Sequence, residues 1–236
     1  MKILLIRHAD PDYAADGLTP AGHKEAEALG ERLAEQGLDR LFASPLGRAR
    51  QTAEYIAART GLEIETEPWL RELHGWQVGS LPDGASHAWD YPAEMIPTLR
   101  DRSGFWRIDE DHWLRRPDRR ALYDELAAHS DAFLKKLGYI RDGGRYRCTA
   151  PADDRRKIAL VCHGGFGRAW LSWLLQLPLS HVWGGFWLAP SSVTTLLWER
   201  RGSDYAMPRC LGVGDISHLY KTGLSCSFAG LYGNIE

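Results

Sequence analysis

Two copies of one short pattern constrain this chain more than any other feature. Lys2-Ile3-Leu4-Leu5-Ile6-Arg7-His8-Ala9 is echoed by Lys157-Ile158-Ala159-Leu160-Val161-Cys162-His163-Gly164. Each is a continuous apolar run, the signature of a central strand covered by helices on both faces. Each run ends at a histidine, where a loop leading to a helix begins. In open α/β sheets ligands bind at the carboxyl ends of the strands, so two histidines in equivalent positions can face one crevice. Either alone is an ordinary strand-end histidine. Arg7 beside the first and Gly164-Gly165 after the second favour a site.

The pattern between these runs repeats a strand-then-helix rhythm. After His8 a loop through Pro11 leads to Thr19-Pro20, an N-cap followed by proline at the first helical position, and Ala26, Leu29 and Leu33 share one helical face. Leu41 to Ala43 reads as a short strand, Arg48 to Thr60 as a helix closed by Gly61, and Glu63 to Glu67 as a further strand. Leu122 to Leu137 restores a helical face, Tyr139 to Cys148 around Asp142-Gly143-Gly144 reads as a hairpin, Phe166 to Leu177 as a helix and Ser192 to Glu199 as a strand. The expected fold is an α/β three-layer sandwich with a mostly parallel sheet, one domain over residues 1–236. From Gly75 to Pro117 the rhythm fails, which predicts an inserted cap with Trp76, Trp89, Trp106 and Trp113 over one end of the sheet.

Composition narrows the function. The 29 basic and 31 acidic residues nearly cancel, so no broad field favours nucleic acid or an anionic membrane, and any anion site must be built from a few placed residues. The run after Met1 stops at Arg7, too short for a signal-peptide core, and no later stretch is apolar enough to span a bilayer, so a cytoplasmic location is the default expectation. Cys148, Cys162, Cys210 and Cys226 are scattered and form no zinc or disulfide pattern.

A third element carries chemistry. In Ser44-Pro45-Leu46-Gly47-Arg48-Ala49-Arg50-Gln51-Thr52 a strand ends, proline breaks the backbone, and a helix starts near Arg48. A helix N-terminus offers free N–H groups and arginine a planar donor fork, together a phosphate cradle. The competing reading of Arg48 or Arg50 is a solvated helix arginine.

Leu5-Ile6-Arg7-His8, the Ser44 to Thr52 segment, Leu70-Arg71-Glu72-Leu73 and Cys162-His163-Gly164-Gly165, in that order, resemble the histidine phosphatase superfamily, the phosphoglycerate mutase-like enzymes. The resemblance covers residues 1–73 and 157–199 and is weak between them. It implies an α/β/α sandwich in which His8 attacks phosphorus and becomes phosphorylated. Arg7, Arg48 and His163 would bind phosphoryl oxygens, and Glu72 would protonate the leaving oxygen. It implies no metal and no cofactor. The expected activity is that of a histidine acid phosphatase-like phosphomonoester hydrolase acting on a small phosphorylated substrate.

Elementary chemistry agrees with these roles. Phosphoryl transfer gains its rate from an aligned nucleophile and from charge on the equatorial oxygens, which Arg7, Arg48 and a protonated His163 would supply. His8 must attack with a lone pair, and Glu72 must carry a proton, which calls for burial or the charge of a bound phosphate. The competing reading of Glu72 is a solvated glutamate beside Arg71.

The chain departs from the family pattern in two ways. Ala9 stands where glycine is common, so the backbone there should not need a positive φ. Asp10-Pro11-Asp12-Tyr13 replaces the polar segment of true mutases, which puts mutase activity in doubt; Asp10 and Asp12 must turn away from an anion site or serve as turn formers. A mutase and a non-catalytic module that binds phosphorylated ligands remain the alternatives. Asp215, Ser217 and His218 read as a hydrogen-bonded turn and not as a hydrolase triad, since no GxSxG elbow is present. A homodimer is possible.

Overall fold

A computed structural model describes residues 1–76, 87–89, 112–201 and 204–231. Its centre is an eight-stranded sheet whose strands are β1 (Lys2–Arg7), β4 (Arg40–Ala43), β5 (Ile64–Thr66), β6 (Tyr139–Asp142), β7 (Arg145–Cys148), β8 (Lys157–Cys162), β9 (Val193–Arg200) and β10 (Tyr205–Asp215), in the order β5-β4-β8-β1-β9-β10-β7-β6. β5, β4, β8 and β1 run parallel; β9, β10, β7 and β6 extend the sheet through antiparallel pairs. A two-stranded ribbon, β2 (Pro11–Asp12) and β3 (Gly17–Leu18), lies in the loop after β1.

Among the described residues six α-helices accompany the sheet: α1 (Pro20–Gln36), α2 (Gly47–Thr60), α3 (Pro117–Lys136), α4 (Gly164–Leu175), α5 (Leu179–Gly185) and α6 (Ser217–Thr222). Strand alternation assigns the layers. Leu4 and Ile6 pack with Leu29 and Leu33 of α1 and Ala53 and Ile56 of α2, whereas Ile3 and Leu5 face Phe133 and Leu134 of α3 and Phe166 and Trp170 of α4. Every side chain from Ile3 to Ile6 is at most 4% exposed. At roughly 1.5–3 kcal/mol for each large apolar side chain fully buried, this strand alone is a major source of stability.

The local signals act as anticipated at several ends. The Thr19 side chain accepts from the Gly22 N–H at 3.0 Å and Pro20 opens α1. Gly61 closes α2 in the left-handed region. Ala9 has no positive φ, and Asp12 accepts from the Ala14 and Ala15 N–H groups in a turn. The Ser-His-Asp cluster is a hydrogen-bonded turn leading into α6, with the Ser217 N–H donating to Asp215 at 2.8 Å. The four cysteines are free. Among the described residues no helix is long and apolar enough to cross a membrane. Most of the 75–117 segment, including Trp106, lies outside the described residues; within it Trp76 and Ala88 are buried and their backbones are bonded, Ala88 N–H to Trp76 carbonyl, at 2.9 Å.

Candidate active site

The sequence echo becomes a spatial one. β1 and β8 are parallel neighbours in register from Lys2 opposite Lys157 to Arg7 opposite Cys162, so the two histidines leave the sheet side by side. Their rings lie 5.1 Å apart, centre to centre. His8 is 1% exposed and His163 fully buried. The His8 backbone is bonded on both sides, its N–H to the Cys162 carbonyl at 2.9 Å and its carbonyl to the Ser191 N–H at 3.1 Å.

Hydrogen bonding assigns the nitrogens of His8. Nδ1 lies 2.8 Å from the Ala9 carbonyl oxygen, an acceptor only, so Nδ1 carries the proton and Nε2 the lone pair. Arg48 donates from Nε to that Nε2 at 3.2 Å. Burial, followed by the charges of Arg7 and Arg48, holds the His8 pKa well below its ordinary value. The imidazole therefore stays neutral, as a nucleophile requires.

His163 corrects one expectation. Its Nε2 is 2.8 Å from the Ser44 hydroxyl, but its pKa too is held well below the ordinary histidine range, by burial first and then by His8, Arg48, Arg7 and Arg71. The unliganded protein thus holds a neutral His163. Its permanent positive charge comes from Arg7 and Arg48.

The two arginines reach the site from different segments. Arg7, 6% exposed, donates from Nη1 to the Leu188 carbonyl at 2.7 Å and from Nη2 to the Ala229 carbonyl at 3.1 Å. Arg48 in the first turn of α2 pairs with Asp16 at 2.6 Å and lies under Tyr13, with the guanidinium carbon 5.3 Å from the ring centre. Two buried nitrogens here, Arg7 Nε and His163 Nδ1, have no hydrogen-bond partner. Leaving a buried polar group unsatisfied costs about 1–3 kcal/mol, which an oxyanion in the site would relieve. Arg50 is exposed, in keeping with the solvated reading.

The open helix-end cradle expected at α2 is not free. Asp16 accepts from the Gly47 N–H at 2.7 Å with one oxygen and pairs with Arg48 through the other. A carboxylate placed against the positive end of α2 satisfies that amide locally. Nothing in the Asp-Gly dipeptide 16–17 signals this role, because it depends on how the ribbon folds back over α2.

Glu72 is not a solvated glutamate. It follows a helical turn at Pro68–Leu70, and its carboxyl accepts from the N–H groups of Leu73 at 3.0 Å, Gly165 at 3.1 Å and Phe166 at 2.7 Å. The last two belong to the first turn of α4, directly after His163. Gly165 is required there: a Cβ would sit 2.7 Å from the Trp89 ring and 2.9 Å from the Glu72 carboxyl.

Arg7, Arg48 and Glu72 line one cavity of about 380 Å³, shared with Tyr13, His87, Trp89, Arg168 and Trp187. Sequence reasoning gave no role to His87, Arg168 and Trp187, whereas Trp89 belongs to the expected cap and Tyr13 to the loop that departs from the mutase pattern. His87 and Trp89, whose rings stack at 4.8 Å, fall where the sequence lacks any period. Arg168 lies one turn beyond Gly164 and donates to the carbonyls of Gly164, Trp89, Trp183 and Phe186, tying the insertion to α4 and α5. Asp10 turns away from the cavity: its carboxyl accepts from the hydroxyls of Thr19, at 2.7 Å, and Ser227.

Comparison with known proteins places this geometry. The chain is similar to the probable phosphoglycerate mutase GpmB of Photorhabdus laumondii, 35% identical over 174 residues that cover 69% of this chain and 72% of that protein. For the protein of the same name from Proteus mirabilis the identity is 32% over 190 residues, covering 75% and 76%. The matching stretch with the Serratia proteamaculans relative is shorter and spans 39% of that protein's length. Among solved structures, phosphoserine phosphatase of Entamoeba histolytica in complex with 3-phosphoglyceric acid superposes with a TM-score of 0.60 at 18% identity, over 92% of this chain and 98% of that one. Mycobacterial glucosyl-3-phosphoglycerate phosphatase gives 0.57 at 24% identity, over 90% and 98%; at such identities the likeness is one of fold. Residues 3–208 match the family model of the histidine phosphatase superfamily, branch 1, and the chain belongs to that superfamily.

Proposed function

We propose that this protein is a phosphatase that hydrolyses a small phosphate monoester through a phosphohistidine on His8. The observation that carries the reading is the state of His8: a neutral, buried imidazole whose proton is committed to the Ala9 carbonyl and whose Nε2 is bonded to Arg48.

In the first step the Nε2 lone pair attacks phosphorus, and the bond from phosphorus to the ester oxygen breaks. Arg7 through Nε, Arg48 and His163 bind the phosphoryl oxygens and offset their growing charge. The Glu72 carboxyl at the cavity wall donates a proton to the departing alcohol. In the second step the carboxylate takes a proton from water, water oxygen attacks phosphorus, and His8 is released with inorganic phosphate. The dianionic substrate favours protonation of His163 once it is bound, since an opposite charge raises a histidine pKa.

A mutase is the second reading, favoured by the names of the relatives. It would keep the phosphohistidine long enough to return the group to another hydroxyl. The Asp10-Pro11-Asp12-Tyr13 segment, which departs from the pattern of true mutases, speaks against it. The test is turnover of an aryl phosphate and isomerisation of a phosphoglycerate, measured side by side. Release of phosphate, with phosphohistidine trapped by acid-free quench and both lost in His8→Ala, is the expected result. Undiminished turnover in His8→Ala would overturn it. Binding of phosphate without turnover or phosphohistidine would identify a non-catalytic module.

A further inference from the structure

One cluster beneath the site has no part in this chemistry. Glu25 of α1 is 2% exposed, on the helix face that otherwise buries Gly22, Ala26 and Leu29. A carboxyl among such residues is costly unless its oxygens are satisfied. One oxygen accepts from the Asp10 backbone N–H at 2.9 Å, and Ser191 and Ser227 also bond to it. Among the described residues no basic side chain pairs with it.

We propose that Asp10, Glu25 and Ser227 form a clasp that fastens the C-terminal segment to the loop following the nucleophile and so holds Arg7 at the phosphate site; the proposal rests on the functional reading above. The chain of contacts is continuous. Asp10 follows His8 by two residues and is locked to α1, its carbonyl accepting from the Thr19 N–H at 3.1 Å and its carboxyl from the Thr19 hydroxyl at 2.7 Å. The same carbonyl packs so closely on Gly22 that a Cβ there would lie 2.2 Å away. The other Asp10 oxygen accepts from the Ser227 hydroxyl. The Ala229 N–H reaches that hydroxyl at 3.3 Å, and the Ala229 carbonyl accepts from Arg7 Nη2. Arg7 is thereby oriented by two carbonyls on separate segments, Leu188 and Ala229, with Nε left over. The clasp ties down the segment that carries the second anchor, beside the stacking of Phe228 on Trp187 at 6.0 Å. Asp10, Glu25 and Ser227 act as positioning residues, since none lines the cavity.

The titratable groups facing Glu25 are Asp10 from the loop and Cys226 from the C-terminal segment, with Arg7 beyond Cys226 and His218 of α6 beyond Ser191. Burial pushes the Glu25 carboxyl up to about 7 and His218 down to about 4.

The test uses the full chain with Ser227→Ala, Ser227→Thr and Asp10→Asn. Readouts are kcat and KM on an aryl phosphate and the dissociation constant of inorganic phosphate by calorimetry. Losing one hydrogen bond that orients a charged group predicts a roughly tenfold fall in kcat/KM and a similarly weaker phosphate affinity for Ser227→Ala, with recovery in Ser227→Thr. Asp10→Asn provides the same readings should Ser227→Ala not fold. Wild-type kcat/KM and phosphate affinity in the folded Ser227→Ala or Asp10→Asn variant would overturn the clasp. That failure is distinct from failure of the functional reading, which appears as absence of turnover and phosphohistidine in the wild type while the phosphate affinities still report on the clasp.

Discussion

Replacing Glu25 by glutamine converts the buried carboxyl into a neutral group of nearly the same shape. In the folded chain burial, the neighbouring Asp10 charge and only partial hydrogen-bond compensation raise its pKa from 4.5 to about 7. The folded state therefore binds this proton more tightly than the unfolded chain does. Its stabilising effect is complete below the unfolded carboxyl value and is lost as pH rises through the folded one, between about 4.5 and 7. Each tenfold gain in proton affinity is worth about 1.36 kcal/mol, so the loss is about 3 kcal/mol. The same change equals about 6–12 °C in Tm for a domain of this size. The assay is thermal or urea unfolding of wild type and Glu25→Gln over a pH range from about 3.5 to about 8.5, which brackets both carboxyl values. Taking the difference between the two proteins at each pH cancels the other titrating groups. The difference is expected to move by about 3 kcal/mol in favour of glutamine as pH rises and then to level off above about 7.5. A difference that stays flat over this range would refute the argument that Glu25 is buried as a neutral acid.

Three further outcomes follow from the site. Gly165→Ala, whose Cβ would lie 2.7 Å from Trp89 and 2.9 Å from Glu72, should lower kcat on alkyl phosphates by about 10²-fold or more, the scale of a lost general acid. Hydrolysis of p-nitrophenyl phosphate, whose leaving group needs little protonation, should fall much less; equal losses on both substrates would count against Glu72 as proton donor. Because the pKa values of His8 and His163 are held well below 6.5, kcat/KM should show no loss from His8 protonation as pH falls from about 7 to about 6. By the same linkage these histidines contribute stability above the unfolded histidine pKa that is lost in acid, so unfolding of Glu25→Gln, which lacks the opposing glutamate, should come at lower denaturant at about pH 5 than at about pH 7.

The parts of the site legible in the sequence are those carried by strand ends. Arg7, His8 and His163 stand at the termini of two apolar runs of the kind that form central strands, and the structure sets those strands side by side with their carboxyl ends at one edge. Arg48 was legible because proline and glycine mark where α2 begins. Glu72 was legible through resemblance alone: its seat on the Gly165 and Phe166 amides joins positions 93 and 94 residues apart. β10 and the short helices α5 and α6 have no strong period and are held by packing on their neighbours, so pattern reading passes over them. The antiparallel half of the sheet is set by the return of β9 beside β1 and of β10 beside β9, which is a matter of topology.

The sequence by itself determined the α/β class, the two central strands and the identities of the histidines and arginines, because hydrophobic period and chain punctuation act over a few residues. Only the tertiary structure decided how those groups are used. The neutrality of both histidines comes from burial, the occupation of the α2 amide by Asp16 from a ribbon folding back, and the orientation of Arg7 from carbonyls 181 and 222 residues away. Burial and long-range hydrogen bonds depend on which surfaces meet, and no local pattern encodes that meeting.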